Sequence, residues 1–229
     1  MKTKDFTFKS ATGVCDIYGC RYTPDDDAVK AVIAINHGMA EHQARYRDFV
    51  SFLTSNGFAV YMHDMANHGK SNNDKNLTGY FGKKDGYKAL VKDFDSVVKI
   101  AKTDYPDKKL VIMGHSMGSF IVRCYTAWYP NAGFDGAIYM GTGGSNPIAG
   151  VGDFVSSLIA KVTGYKKKVA LLDKMTFGSY NNKFEKRTAF DWLTRDNSVV
   201  DKYINDEYCG FLFSAQGMND LVKLNINAN

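Results

Sequence analysis

Short apolar runs alternate with amphipathic stretches along the first 144 residues of the chain. Six segments carry the pattern of β-strands, and they span residues 6–10, 14–22, 31–36, 59–63, 110–113 and 136–140. Three stretches place apolar side chains at helical spacing, and they span residues 46–56, 86–105 and 116–129. In the first of these helices we expect Phe49, Val50, Phe52 and Leu53 to face inward. This alternation predicts an α/β fold, with a mostly parallel sheet covered by helices on both faces.

The alternation stops after residue 144. Residues 145–209 contain helical patterns without a strand signal, which predicts a helical cap inserted into a core formed by residues 1–144. Apolar residues from Val151 to Val162 form a helical stripe, which either packs on the core or rests on a bilayer surface. Packing on the core is the simpler interpretation. Residues 210–229 return towards the core, and their polar end carries no strand signal.

The apolar strand that ends at Met113 leads directly into Gly114-His115-Ser116-Met117-Gly118. Chance placement predicts roughly 0.1 occurrences of G-x-S-x-G in a chain of this composition. Between a strand and a helix, the motif is typical of a nucleophile elbow, where a serine lies on a strained turn. The glycines are needed because side chains there would clash with the strand and the helix. The amide of Met117 would lie at the helix N-terminus, where it can stabilise an oxyanion.

The loop after the strand at residues 31–36 reads His37-Gly38-Met39-Ala40-Glu41-His42. On this fold that loop supplies the second oxyanion N–H, a role that we assign to Met39. Gly38 would let the backbone approach the substrate oxygen. His37 and His42 are interpreted as residues that orient the backbone, and Glu41 either braces the loop or is solvated.

A further polar run, from Asp64 to Ser71, follows the strand at residues 59–63 and is typical of a turn. A metal site formed by His63, Asp64 and His68 is an alternative interpretation, but the spacing matches no closed zinc pattern. We therefore expect neither a bound metal nor another cofactor.

The base that should accompany the serine is absent from the expected place. All five histidines precede or adjoin the elbow, namely His37, His42, His63, His68 and His115. In the α/β folds that carry a G-x-S-x-G elbow, the histidine base follows the serine in sequence. Asp220 is the late carboxylate nearest to the expected acid, but it precedes the place of a seventh strand and is interpreted as structural. We expect the triad acid, the histidine and the last two strands to lie in a C-terminal segment missing from this chain.

The run from His37 to Tyr46, the Asp64–Ser71 turn and the Ser116 elbow together resemble the monoacylglycerol lipase and lysophospholipase branch of the α/β-hydrolases. That branch overlaps the group called serine aminopeptidases, and the likeness extends into Phe190-Asp191-Trp192-Leu193-Thr194-Arg195-Asp196. The resemblance implies that Ser116 is the nucleophile and that the Met39 and Met117 amides form the oxyanion hole. It also implies an acid after the seventh strand and a histidine after the eighth, which match no position here.

Composition indicates the class of protein and its cellular location. Hydrophobic content of 45% and charged content of 23% are ordinary for a globular chain, and no apolar run is long enough to cross a bilayer. Four cysteines without a C-x-x-C pair, together with a start that lacks a signal peptide, favour a cytoplasmic location. The net charge of +5 is scattered, apart from the cluster Lys166-Lys167-Lys168, and no nucleic-acid-binding module is present.

The leading functional hypothesis is a serine hydrolase that cleaves esters of single-chain lipids, such as monoacylglycerols or lysophospholipids, through an acyl-enzyme on Ser116. An aminopeptidase-like amidase would need an acidic pocket, for which the cap offers Asp153, Asp173, Glu185 and Asp191. A non-catalytic ligand-binding module or inactive fragment would explain the absent histidine. Expected partners are the lipid ester, a membrane surface touched by the cap, and a complementing chain that covers an open sheet edge.

Overall fold

The computed structural model describes all residues from Met1 to Asn229. Its central sheet has six strands in the order β1-β2-β4-β3-β5-β6. The strands are β1 (Lys2–Lys9), β2 (Asp16–Thr23), β3 (Ala31–Asn36), β4 (Phe58–His63), β5 (Leu110–His115) and β6 (Gly136–Met140). β1–β2 and β2–β4 are antiparallel, whereas β3–β4, β3–β5 and β5–β6 are parallel. The predicted strands and the mostly parallel sheet are confirmed, with the first strand beginning earlier than expected.

Seven α-helices accompany the sheet. They are α1 (Arg47–Ser55), α2 (Gly86–Asp104), α3 (Met117–Trp128), α4 (Ala149–Thr163), α5 (Ala170–Phe177), α6 (Asn197–Asn205) and α7 (Ala215–Asn227). Short 3-10 turns span Gln43–Tyr46, Gly69–Ser71, Lys75–Leu77, Tyr180–Lys183 and Asp191–Leu193. The helices predicted within the first 144 residues are confirmed, within a residue or two at their ends.

Both faces of the sheet are covered, because alternate side chains of each central strand point to opposite sides. Ile33, Ile35, Val60 and Met62 pack against α1 on one face. The other face carries the larger core, in which Val32, Ala34, Ala59 and Tyr61 of β3 and β4 belong to one cluster with buried side chains of α2, α3 and α7. Continuous apolar strands are thus explained by burial on two sides.

The expectation for α1 is only half right. Val50 and Leu53 are buried as predicted, but Phe49 and Phe52 are exposed. The helix turns by about 100° per residue, so a face centred on Val50, Leu53 and Thr54 leaves Phe52 on the solvent side.

Residues between β6 and α7 form helices and turns and contain no strand. Most of the apolar stripe of α4 is exposed, which corrects the simpler interpretation of its pattern, and Ile159 is the member that packs against the core. Phe154 and Val162 are 69% and 77% exposed, and Val151 and Leu158 are also exposed. α4 instead packs on α7 through a face of small residues, where Ser156 and Ala160 are buried.

α7 lies where the chain returns to the core. Met218, Leu221 and Leu224 are buried against the rest of the α2–α3 face, and the helix continues to Asn227. β6 is the last strand in the sheet order, and its residues Ile138, Tyr139 and Met140 are exposed. None of the helices has the length and apolar character needed to cross a bilayer.

Candidate active site

The sheet topology brings two predicted site segments to the same place. β3 and β5 are neighbours, but β3 leads to β4 on one side of the pair and β5 leads to β6 on the other. The loops after these strands therefore leave in opposite directions and open a crevice at the carboxyl ends, where parallel sheets bind ligands. Ser116 follows β5, and the loop from His37 to His42 follows β3.

Ser116 has the backbone of a strained elbow. Its φ of 52° and ψ of −119° lie in a region that non-glycine residues rarely occupy, and it directly precedes α3. A Cβ at Gly114 would collide with the backbone of Gly118, and a Cβ at Gly118 would collide with the carbonyl oxygens of Asn36 and His37. Both glycines of the motif are thus required by close backbone approach, and the second holds α3 against the end of β3.

The two amides predicted for the oxyanion hole lie on the segments that Gly118 holds together. Met117 is the first residue of α3, so its N–H has no partner within the helix. The N–H of Met39 forms no hydrogen bond within the chain. Two amides without other partners, beside a helix N-terminus, can donate hydrogen bonds to an oxygen on which negative charge develops.

Glu41 braces this loop, which resolves one of the two interpretations of that residue. Its Oε1 accepts hydrogen bonds from Gly38 N at 2.6 Å and Tyr46 Oη at 2.8 Å, and lies 3.2 Å from His115 Nδ1. Its second oxygen pairs with Arg45. Burial alone would raise the pKa of Glu41, but the His115 hydrogen bond and nearby positive charge bring it down to about 2. The carboxylate therefore stays charged and holds the Gly38–Met39 turn.

His37 has a structural role at the end of β3. Its Nε2 accepts a hydrogen bond from Met65 N at 3.0 Å, so its Nδ1 donates to the Gly38 carbonyl at 2.8 Å. Burial lowers the pKa of this ring to about 3. A neutral imidazole with both nitrogens engaged orients the loop backbone, as the sequence suggested.

None of the other histidines forms a hydrogen bond with Ser116 Oγ. His63 and His68 are buried, and burial lowers the pKa of each to about 3. His42 contacts Asp206, and His115 contacts Tyr46 and Glu41. No side chain within the chain hydrogen-bonds Ser116 Oγ. The structure thus brings the loop of Met39 beside the Ser116 elbow, but it places no histidine in hydrogen-bond contact with Ser116 Oγ.

Asp64 does not form a ligand set with His63 and His68. Its two carboxylate oxygens accept hydrogen bonds from the amides of Gln43 and Lys70, each at 2.8 Å. Ser71 Oγ donates to the Asp64 carbonyl at 2.7 Å. The polar run from Asp64 to Ser71 is therefore turn chemistry that ties the loop after β4 to the loop after β3.

Asp220 contacts the N-terminus of α2 and forms no hydrogen bond with a histidine or with Ser116. It lies in α7, and its Oδ1 accepts a hydrogen bond from Tyr87 N, near the N-terminus of α2, at 3.1 Å. Burial raises its pKa to about 7. The structural role expected for Asp220 agrees with this contact.

Sequence reasoning missed a set of contacts between this loop and residues 203–210. The carbonyl of Ala40 accepts hydrogen bonds from Tyr203 Oη and from Gly210 N, each at 3.0 Å. His42 Nε2 lies 2.8 Å from Asp206 Oδ2. More than 160 residues separate the partners, so no local pattern signals the pairing.

Comparison with known proteins agrees with this geometry. A family model described as serine aminopeptidase, S33, matches residues 27–228. The monoacylglycerol lipase of Mycolicibacterium smegmatis is 32% identical over 169 residues, covering 72% of this chain and 54% of that protein. The mouse monoglyceride lipase is 28% identical over 187 residues, covering 82% of this chain and 55% of that protein. The chain thus spans about half the length of these curated relatives.

Solved structures point the same way. A thermostable carboxyl esterase from Bacillus coagulans, solved in complex with glycerol, superposes with a TM-score of 0.89 at 27% identity. That superposition covers 98% of this chain and 73% of the esterase. The six-stranded sheet, the Ser116 elbow and the matched family model lead to one conclusion. The chain belongs to the serine aminopeptidase S33 family, in the monoacylglycerol lipase-like branch of the α/β-hydrolases.

Proposed function

We propose that the protein is a serine hydrolase that cleaves carboxylic esters of single-chain lipids, such as monoacylglycerols or lysophospholipids. The observation that carries this proposal is the strained Ser116 at the start of α3, held beside the Met39 loop by Gly118. The names of the relatives, monoacylglycerol lipase and carboxyl esterase, support the ester and lipid class.

In this mechanism Ser116 Oγ attacks the ester carbonyl carbon while a histidine base takes its proton. The tetrahedral oxyanion accepts hydrogen bonds from the amides of Met39 and Met117. The C–O bond to the alcohol then breaks, and the histidine returns the proton to the leaving oxygen. Water attacks the acyl-Ser116 ester by the same route, which releases the fatty acid and the free serine.

The triad acid and the histidine are proposed to come from outside these 229 residues. The five histidines of the chain are engaged elsewhere, or lie where they do not contact Ser116 Oγ. β6 is an open edge with exposed Ile138 and Met140, which suits a complementing polypeptide that adds a parallel strand there. The same polypeptide would carry the missing acid and base.

We also propose that residues 145–209 act as a cap that touches an anionic bilayer surface. The exposed face of α4 presents Phe154, Leu158 and Val162, and Lys161 and the Lys166–Lys168 cluster follow towards its C-terminal end. Apolar side chains flanked by lysines are typical of interfacial helices. We expect Phe154→Ser to weaken sedimentation with phosphatidylglycerol vesicles, whereas Phe52→Ser, at another exposed phenylalanine, should not.

The family description keeps an aminopeptidase-like amidase as the second candidate. Of the acidic residues that the sequence offered for amine capture, two are already engaged. Asp191 accepts hydrogen bonds from Thr188, and Asp153 accepts one from Asn219. Comparing turnover of a monoacyl ester with that of an N-terminal peptide amide separates the two candidates.

The first test is covalent labelling of the 229-residue chain with a fluorophosphonate, read by mass at Ser116. Stoichiometric labelling that is lost in Ser116→Ala would identify an activated nucleophile and would contradict the need for an outside base. Labelling that appears only after a complementing polypeptide is added would support the proposal. A folded chain that stays unlabelled in both conditions would favour a non-catalytic ligand-binding module.

A further inference from the structure

Three chemically different metal-ligating side chains meet where the loop after β3 contacts the end of α6. They are His42, Asp206 and Cys209, and their ligand atoms all lie within 4.8 Å of one another. Asp206 and Cys209 belong to one Asp-x-x-Cys turn, closed by a hydrogen bond from Cys209 N to the Asp206 carbonyl at 3.0 Å. His42 comes from the opposite segment, 164 positions away from Asp206.

The spacing of these atoms suits a small tetrahedral ion. Bonds of about 2.0–2.3 Å to Zn²⁺ separate neighbouring ligand atoms by roughly 3.3–3.8 Å. His42 Nε2 and Asp206 Oδ2 now lie 2.8 Å apart, and the widest separation in the group is below 4.8 Å. Adjustments of about 1 Å, which side-chain rotation can supply, would bring the atoms to the required distances.

The donor set selects among cations. Imidazole, thiolate and carboxylate together match Zn²⁺, a borderline-soft ion, whereas Mg²⁺ and Ca²⁺ take oxygen ligands. With a neutral His42, the charges of the Asp206 carboxylate and a Cys209 thiolate balance a divalent ion. The nearby cation Arg45 is paired with Glu41, so it is already neutralised.

Solvent can reach the group. The side chains of His42 and Asp206 are 13% and 28% exposed, and Cys209 is half-buried. Three protein ligands leave a fourth position for water or another small ligand. The group is therefore neither sealed in the core nor spread over an open surface.

We propose that His42, Asp206 and Cys209 bind a Zn²⁺ ion that links the loop carrying Met39 to the segment following α6. The same two segments already meet through Ala40, which accepts hydrogen bonds from Tyr203 and Gly210. A bound ion adds a strong bridge to these neutral contacts and fixes the oxyanion loop against the proposed cap. This assignment does not depend on the ester substrate or on the source of the general base.

Titration of the reduced 229-residue chain with Co²⁺ tests the site without any activity assay. We expect one equivalent of Co²⁺ to give tetrahedral d–d bands and a thiolate-to-cobalt charge-transfer band, which Zn²⁺ then removes by displacement. Cys209→Ser should abolish the charge-transfer band. The matched control is Cys15→Ser, which changes another half-buried free cysteine and should keep the band.

Thermal unfolding gives a second readout. Saturating Zn²⁺ should raise the unfolding midpoint of the wild type and Cys15→Ser by several degrees, because the ion binds the native state. It should leave the midpoints of Cys209→Ser and His42→Gln unchanged, and Mg²⁺ should shift none of them. A folded wild type without the charge-transfer band, or a band that survives Cys209→Ser, would overturn the assignment.

Discussion

At the scale of single residues, Gly118 links the nucleophile to the rest of the site. Its missing side chain lets α3 begin against the carbonyl oxygens of Asn36 and His37, so the elbow and the oxyanion loop share one close contact. A methyl group would have to displace main chain rather than a flexible side chain. Moving the backbone of a packed sheet costs considerable free energy, because the rest of the strand and its packed neighbours would have to move with it.

Gly118→Ala should therefore lower the free energy of unfolding by about 2 kcal/mol or more. The matched control is Gly150→Ala in α4, where an added Cβ would meet nothing within 4 Å. That change should be neutral, or stabilising by up to about 1 kcal/mol, because alanine favours helix. Urea unfolding of both variants checks the pair, and equal stabilities would contradict the close approach at Gly118.

Glu41 shows how one buried charge can organise a loop. Its carboxylate accepts hydrogen bonds from Gly38 N and Tyr46 Oη while it pairs with Arg45. Removing the charge leaves the guanidinium of Arg45 without its partner and weakens the hold on the turn that carries Met39. The residue acts through the loop, so it is a positioning residue.

We expect Glu41→Gln to cost about 1–3 kcal/mol of unfolding free energy at pH 7, from the weakened hydrogen bonds to a buried charge. Glu207→Gln removes an exposed carboxylate that pairs with Lys75, and it should change stability by less than about 0.5 kcal/mol. Chemical denaturation measures both. A Glu41→Gln variant as stable as the wild type would show that the network does not hold the loop.

At the scale of elements, α4 packs on α7 through its small residues, whereas its sequence pattern predicts that the large apolar residues are buried. The buried face of α4 is formed by small residues, and Gly152 lies beside Val222 of α7, where an added Cβ would be in ordinary van der Waals contact at 3.7 Å. Small side chains let the helices approach closely, whereas Phe154 and Leu158 would hold them apart. The larger apolar residues are consequently turned outward.

Two substitutions only two positions apart, on opposite faces of α4, should therefore behave differently. Ala160→Leu adds volume to a fully buried contact and should destabilise by about 1–3 kcal/mol. Leu158→Ser removes a half-exposed side chain and should change stability by less than about 0.5 kcal/mol. Thermal or urea unfolding distinguishes them. A larger loss in Leu158→Ser would mean that the stripe, not the small face, is packed.

At the scale of the whole molecule, buried titratable groups make stability depend on pH in two directions. Burial lowers the pKa of His37, His63 and His68 from 6.5 to about 3. The native state therefore gains stability as pH rises from about 3 to 6.5, because the unfolded chain binds these protons more tightly. Burial raises the pKa of Asp220 from 3.8 to about 7. That group contributes stability below about pH 4 and loses it as pH rises towards 7, because the unfolded carboxyl releases its proton first.

Asp220→Asn isolates the second effect, since an amide oxygen can still accept the hydrogen bond from Tyr87 N. Between pH 4 and pH 7 the stability of the variant relative to the wild type should rise by up to about 4 kcal/mol. Urea unfolding across this pH range measures the difference, from which the histidine contributions cancel. Parallel profiles for the two proteins would contradict a raised pKa at Asp220.

Local patterns in the sequence were sufficient for much of this molecule. The strands at residues 31–36 and 136–140 and the buried stripe of α2 follow from periodicity, because each depends only on neighbours along the chain. The Ser116 elbow follows from the steric needs of two glycines, which are also local. The motif itself was therefore visible before the fold.

Tertiary structure alone decided the features that join distant segments. Strand order places β4 between β2 and β3, α7 selects the small face of α4, and α6 brings Asp206 to His42. Each of these contacts joins surfaces that are many residues apart in the chain. The residue types of one segment are compatible with several partners, so the packing of the whole molecule decides which partner is used. The exposed stripe and the His42–Asp206–Cys209 group appear only once the best-packed arrangement is formed.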